Sequence, residues 1–315
     1  MTSRGRAALV TGGAGFIGGH LVEALCAAGW SVRVLDDFSS GREPNLAAVR
    51  GAVELVRGDI RDADTVAKAV RDVEVVFHQA AVPSVPRSLA EPLRTNSVNV
   101  DGTLGVLEAA RQAGVRRVVY AASSSAYGDT PVLPKVETMP ASPLSPYALQ
   151  KYTGEVYCRL YARHYGLETV ALRYFNVYGP RQDPKSEYAA VIPRFVTACL
   201  RGDPPIIYGD GEQTRDFTMV RDAVRANLLA ADAPRASGQM CNVAGGVRTS
   251  LNQLFALIRE ATGASVDPRY VPARDGDVRD SLASLERASD LLGYQPTVSL
   301  REGLRITIES FGRTP

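Results

Sequence analysis

No Cys-x-x-Cys pair and no grouping of histidines occurs in this sequence. Cys26, Cys158, Cys199 and Cys241 are far apart, and His20, His78 and His164 lie in separate segments. That spacing matches no zinc pattern and offers no metal site; reduced thiols and a cytoplasmic location fit it best. Neither sign of charge dominates: 36 Lys and Arg stand against 34 Asp and Glu, a net charge of +2. So weak a field gives nucleic acid or a membrane surface no general attraction. No apolar run approaches the ~20 residues that span a bilayer, and no signal-peptide core follows Met1. Repeats and low-complexity tracts are missing too. What is present is 315 residues, 45% hydrophobic and 22% charged, enough for one large globular unit or two smaller ones.

Through the first half, short apolar runs ("AALV", "VRVL", "VEVVFH", "RRVVYAAS", "TVALRYF") alternate with stretches of helical spacing. In "DTVAKAV", for example, Val66, Ala69 and Val70 share one helix face. Strands alternating with helices predict an α/β fold, a doubly wound parallel (Rossmann) sheet. After Phe175 the rhythm changes, with Gly, Pro and Tyr frequent in "NVYGPRQDP" and "RGDPPIIYGDGEQ". The expected organisation is a cofactor-binding domain over residues 1–174. A smaller, mainly substrate-binding lobe should follow over 175–315, with segments returning to the sheet.

"ALVTGGAGFIGGHLVEALCAAG" reads as a strand, a glycine turn and a helix opened by Phe16 and Ile17. Gly12, Gly15 and Gly18 lack side chains where a pyrophosphate approaches backbone at the positive helix end. Such a triplet is weak alone and gains force from the strand before it and the helix after it. The second strand ends in Asp36, placed to accept from ribose hydroxyls and to repel a 2′-phosphate, so the cofactor expected is NAD. Asp37 suits the role of a loop cap better. Asp59 and Ile60 follow at the next strand end, where an acid could meet the adenine amino group. "FHQAA" then brings Gln79, Ala80 and Ala81 to the end of a further strand.

Tyr147 and Lys151 in "SPYALQKYTGE" are spaced i, i+4, on one face of a predicted helix. A phenol with a pKa near 10 is a poor base at neutral pH, and a neighbouring cation would favour its phenolate. Ser123 in "AASSSAYG" stands 24 residues earlier, at the carboxyl end of a predicted strand, where open α/β sheets hold their ligands. Tyr147 as base with Lys151 beside it, and Ser123 at the nearby strand end, form a candidate centre for taking a proton from a hydroxyl while nicotinamide takes a hydride.

This combination resembles the extended short-chain dehydrogenase/reductase family, and within it the nucleotide-sugar 4-epimerases. The motifs are "TGGAGFIG", "LDDFSSG", "GDIRD", "HQAA", "NVDGT", "SSSAYG", "SPYALQK", "RYFNVYGPRQ", "GDGEQTRDF" and "GDVRDS", spread over nearly the whole chain. The resemblance implies a UDP-sugar that loses a hydride from C4, turns about its diphosphate as a 4-keto sugar, and regains the hydride on the other face. It implies that Ser123 holds the reacting hydroxyl, that Lys151 binds the nicotinamide ribose, that Asn99 and Phe175 lie near the cofactor, and that Ser124 is the second choice for the catalytic hydroxyl. For the substrate it implies Asn176, Arg215 and Arg274 on the diphosphate, Tyr208 stacked on uracil, Asp277 on the ribose, and Val191 and Ser125 in contact. Ser281 stands at the position that gates N-acetylated sugars. Dehydratases carry an Asp-Glu pair where Ser124 and Ser125 stand, which favours epimerisation over elimination. A UDP-glucuronate epimerase, with Arg181 or Arg87 facing the carboxylate, is the alternative. A reductase, and a non-catalytic NAD-binding regulator, are more distant ones. The family pattern also implies a homodimer formed by the helices bearing Leu104, Val106 and Leu107, and Tyr152, Val156 and Leu160.

Overall fold

The computed structural model describes residues 6–184, 190–273 and 278–312. The apolar runs form parallel strands: β1 (Ala7–Thr11), β2 (Ser31–Asp36), β3 (Val53–Arg57), β4 (Val75–His78), β5 (Arg117–Ser123) and β6 (Glu168–Tyr174). Four short strands follow: β7 (Val177–Tyr178), β8 (Ile206–Tyr208), β9 (Thr214–Asp216) and β10 (Thr218–Met219); then comes β11 (Gln239–Val243). The main sheet runs β11-β6-β5-β4-β1-β2-β3. Strand order reverses between β1 and β4, so a crevice opens outside their carboxyl ends.

Side chains alternate across the sheet as a period of two requires. Ala8 and Val10 join a core beneath α1 (Phe16–Ala27), while Leu9 joins the core on the other face. That second face is covered by α2 (Ala63–Ala69), α5 (Thr103–Gln112) and α6 (Pro146–Tyr165). Two short helices, α3 (Val85–Ala90) and α4 (Pro92–Asn96), precede a wide π turn over Ser97–Gly102 that leads into α5. α7 (Val191–Arg201) builds the carboxyl-side core with Phe195, Ile207, Phe217 and Leu254; α8 (Val220–Asp232) packs beside α1. Phe16 and Ile17 lean on that same core, so the start of α1 sits where that core meets the sheet.

β11 had no counterpart among the apolar runs. "QMCNV" carries a polar residue in its middle, yet Asn242 is wholly buried. Its amide accepts from Tyr127 Oη at 2.7 Å and donates to the carbonyls of Lys135 and Ser284 at 3.0 and 3.2 Å. Those partners are remote in sequence, so local pattern cannot announce the strand. Val106 and Leu107, named above for pairing of subunits, are also wholly buried against α5's own sheet and cannot face another molecule.

Candidate active site

The glycine turn is cut to fit. A Cβ on Gly12, whose φ is +69°, would stand 2.7 Å from Ala80 N, and one on Gly18 would stand 2.1 Å from Gly12 O. Gly15 begins α1 with no side-chain cap and no acid in the first turn. The leading N–H groups of α1 are thus left for an outside acceptor, and with the helix dipole they suit a pyrophosphate. Asp36 is buried and accepts from Ala14 N at 2.9 Å and Phe38 N at 2.8 Å. Burial draws its pKa up against those two bonds. Each carboxylate oxygen retains capacity for a further donor, so a ribose hydroxyl can be added. Asp37 caps Ser39 N at 2.9 Å, as read.

Further along the crevice, Asp59 is gripped by Arg61, at 2.5 Å to Nη2, and held below the usual carboxylate range. Ile60 is buried against Gly102, where a Cβ would sit 2.7 Å from its Cδ1. Ala80 and Ala81 continue β4 past the glycine turn. The Gln79 amide, by contrast, is committed to the protein: it donates to Asn227 Oδ1 at 3.1 Å and accepts from Tyr174 Oη at 3.3 Å. Asn99 is buried and clamps Val82 from both sides, at 2.8 Å to its N–H and 3.2 Å to its carbonyl. It shapes the wall rather than reaching outward.

A directed chain of hydrogen bonds lies beneath. Ala80 N donates to Thr11 Oγ1 at 3.3 Å, and Thr11 Oγ1 meets His78 Nδ1 at 2.7 Å. His78 Nε2 meets Thr103 Oγ1 at 3.0 Å, and Thr103 donates to the Asn99 carbonyl at 2.7 Å. Since Thr103 gives its proton to Asn99, it receives one from His78 Nε2, and Nδ1 then accepts from Thr11. Burial, with Lys151 adding to it, pushes His78 down to about 3, so the ring is neutral.

Ser145 caps α6 by accepting from Ala148 N at 3.2 Å, and Pro146 opens the helix. Tyr147 N donates to Ser88 Oγ at 3.0 Å, pinning the start of α6 to α3. The Tyr147 phenol hydrogen-bonds Ser123, which favours the phenolate, but burial is the larger influence and raises its pKa. Ser123 Oγ meets Ser125 Oγ at 2.8 Å and accepts from Ser125 N at 3.2 Å. Ser124 opens the same short turn, half-buried. Lys151 is buried and drawn down to about 7 by that burial, with Cys158 acting the other way. The expected lowering of Tyr147 by Lys151 is not seen: Lys151 Nζ lies over the Tyr120 ring, 4.4 Å from its centroid. Phe175 is wholly buried with its ring 6.1 Å from that of Tyr127, a packing position at the end of β6.

Four of the residues read for the substrate share one cavity of about 250 Å³: Asn176, Val191, Tyr208 and Arg215. Whole-ligand pockets run about 300–1,000 Å³, so this one has room for part of such a ligand. Asn176 adopts φ +33° and donates from Nδ2 to Asp216 O at 3.0 Å. Arg215 Nη1 donates to Thr214 O at 2.8 Å. Gln213 and Arg194 line the same cavity, though the sequence alone singles out neither for the site. Gln213 is 7% exposed, donates to the Tyr208 carbonyl, and has Oε1 without a partner. The Arg194 guanidinium lies 5.8 Å from the Tyr208 ring centroid.

Asp216 is no surface partner for Arg215. It is wholly buried and accepts from Gly245 N, Gly246 N and Ala283 N at 2.9, 3.0 and 3.1 Å. Burial takes its pKa up to about 6 against those backbone donors. It thereby ties β9 to the segment carrying Ser281, which is itself buried at 8% exposure. Arg274 and Asp277 lie outside the described residues. Arg181 is turned away from any sugar: it pairs with Glu23 at 2.7 Å and meets His20 Nδ1 at 2.7 Å.

Tyr147, on the helix packed against β5, and the glycine cradle at the end of β1 thus lie on the same sheet with only β4 between their strands. That juxtaposition defines the short-chain dehydrogenase/reductase class. The chain belongs to the NAD dependent epimerase/dehydratase family, whose profile matches residues 8–244. It is 47% identical over 307 residues to the UDP-glucose 4-epimerase of Mycolicibacterium smegmatis, covering 96% of this chain and 97% of that one. Among solved structures it is similar to the UDP-glucose 4-epimerase of Thermotoga maritima with UDP-glucose: TM-score 0.93, 42% identity, 98% of this chain and 99% of that one. It is equally similar to a UDP-N-acetylglucosamine 4-epimerase from Methanobrevibacter ruminantium in complex with UDP-N-acetylmuramic acid: TM-score 0.94, 41% identity, 98% of each chain. Among the described residues no helix is long and apolar enough to cross a membrane, and no cluster of ligands could hold a metal ion.

Proposed function

We propose that this chain is a UDP-sugar 4-epimerase working with bound NAD. One observation carries the reading. The Tyr147 phenol is hydrogen-bonded to Ser123 in a turn completed by Ser124 and Ser125. Such a turn can move a proton at a carbinol, and it contains no carboxyl group to drive elimination or decarboxylation.

NAD supplies a reversible two-electron acceptor; the open N-terminus of α1 would hold its pyrophosphate, Asp36 its adenosine ribose and Lys151 its nicotinamide ribose. Tyr147 Oη takes the proton of the C4 hydroxyl and later returns it. Ser123 Oγ holds that oxygen, with Ser125 Oγ next in line at 2.8 Å. Asn176 and Arg215 hold the diphosphate, joined by Arg274, with Asp277 on the ribose. Tyr208 offers its face to uracil, and Gln213 Oε1 offers a buried acceptor to a base N–H. Residues 1–174 carry the cofactor and 175–315 most of the nucleotide sugar.

Purified protein given UDP-glucose and UDP-N-acetylglucosamine separately should yield the C4 epimer of each, resolved by anion-exchange chromatography. No turnover of either sinks the proposal. Ser281→Tyr should spare the plain hexose and block the N-acetylated one. A uronic acid as the sugar is the second reading. It is favoured by Arg87, which has no ion pair among the described residues and adjoins Ser88, whose Oγ accepts from Tyr147 N at the start of α6. UDP-glucuronate in the same panel separates the two.

We also propose a cytoplasmic homodimer paired through α5 and α6. The apolar positions open for this are Leu104, Leu149 and Leu160, the last two 53% and 38% exposed. Leu149→Asp with Leu160→Glu should halve the mass found by light scattering, whereas an unchanged mass would place the interface elsewhere.

A further inference from the structure

Tyr120 carries a buried hydroxyl that the reaction does not use, and independent contacts converge on it. Its ring lies 4.4 Å from Lys151 Nζ. Its hydroxyl donates to the Lys151 carbonyl at 3.3 Å. The His78 ring packs on it with centroids 5.7 Å apart. Above it, α6 presents Gly154, where a Cβ would stand only 2.3 Å from Tyr120 Oη. The helix is thus pressed onto this ring just where Lys151 passes over it.

We infer that Tyr120 is a positioning residue: its ring is the seat that keeps the Lys151 ammonium charged and in place at the reaction centre. The inference deepens the proposed function and rests on the reading of Lys151 as part of that centre.

Burial and the Tyr120 ring act on Lys151 in opposite directions. Burial favours neutral lysine and leaves Lys151 near 7. Among the described residues no carboxylate pairs with it. The titratable groups around it are Tyr147, Glu155 and Cys158 from α6, Tyr120 from β5 and His78 from β4. Glu155 is turned to Arg173 on β6, and His78 is neutral. The α3, α4 and π-turn contacts come through the uncharged Ser88, Thr95 and Asn99; of the charged residues there, Arg87 of α3 is half-buried and Arg94 and Asp101 are exposed. What remains to favour the ammonium is the negative face of the Tyr120 ring, at its most effective when water is excluded. The bond from its hydroxyl to the Lys151 carbonyl holds the ring against α6.

The test reads Lys151 directly. The chain has only four lysines (Lys68, Lys135, Lys151 and Lys185), so Cε resonances of lysine-labelled full-length protein can be assigned with Lys→Arg variants. Tyr120→Phe keeps the ring and should titrate as wild type. Tyr120→Leu removes it and should lower the Lys151 midpoint by about one pH unit. If Tyr120→Leu does not fold, Gly154→Ala serves, because its Cβ must displace the ring, and the same shift is expected. In the activity profile the alkaline limb of kcat should move to lower pH by the same amount while the plateau holds. A structural role alone would lower kcat at every pH. An unmoved midpoint in both ring-displacing variants, or Phe shifting as far as Leu, overturns the inference. The titration needs no substrate, so it stands apart from any failure of the epimerase reading.

Discussion

Replacing Glu155 with alanine tests how α6 is anchored. Its carboxylate meets Arg173 through two parallel bonds, 2.8 Å to Nε and 2.7 Å to Nη2. Both residues are nearly enclosed, at 7% and 1% exposure, and the guanidinium also stacks on Tyr127 at 4.4 Å. Removing the acid strands a cation under the helix, which costs about 3–5 kcal/mol. That is a large share of the ~5–15 kcal/mol by which a folded protein is stable. An exposed ion pair would cost only about 0–1 kcal/mol. Glu155→Gln keeps one neutral acceptor and should fall between. Glu155→Leu with Arg173→Met replaces the pair by apolar groups and should recover most of the loss. Urea denaturation at equilibrium, followed by circular dichroism, gives all four values. A loss below about 1 kcal/mol for Glu155→Ala, or a double variant as unstable as the single one, would refute the reasoning.

Gly18→Ala puts a Cβ 2.1 Å from Gly12 O, so the turn must open; NAD released on acid denaturation should fall at least about tenfold while the circular dichroism spectrum holds. Tyr147→Phe keeps the ring and loses the proton acceptor. Turnover should drop on the order of 100- to 10,000-fold with NAD still retained, and a smaller loss assigns the base elsewhere. His78 titrates at about 3 in the folded chain against 6.5 for a free histidine. Between those values the unfolded chain binds the extra proton, so stability falls as pH drops below 6.5. The slope contributed approaches about 1.4 kcal/mol per pH unit. Urea midpoints from pH 7 to 5 should therefore fall less steeply in His78→Gln than in wild type, and equal slopes would disprove the buried neutral ring.

What could be read from the chain was what short-range pattern encodes. The glycine turn, the strands of apolar alternation and the i, i+4 spacing of Tyr147 and Lys151 are all local. Four substrate residues meeting in one cavity came from the family resemblance, since nothing local brings Asn176 to Arg215. Buried polar residues were the ones missed. Asn242 hides a strand because its partners are 107 and 42 residues away. Asp216 resembles a surface acid until its bond to Ala283, 67 residues on, is seen. Tyr120 looks like one more apolar residue of β5, and only the fold brings Lys151 over its ring. Arg181 erred the other way: as a lone cation in a glycine-rich loop it suggested a ligand, but Glu23 of α1 already holds it.

Epimerisation requires one carbon to be oxidised and reduced again within a single visit. UDP-glucose deuterated at C4, turned over to equilibrium and analysed by NMR and mass spectrometry, tests this directly. Both epimers should retain the deuterium at C4, and no free reduced nicotinamide should accumulate. Deuterium lost to solvent, or found at another carbon, would contradict the account.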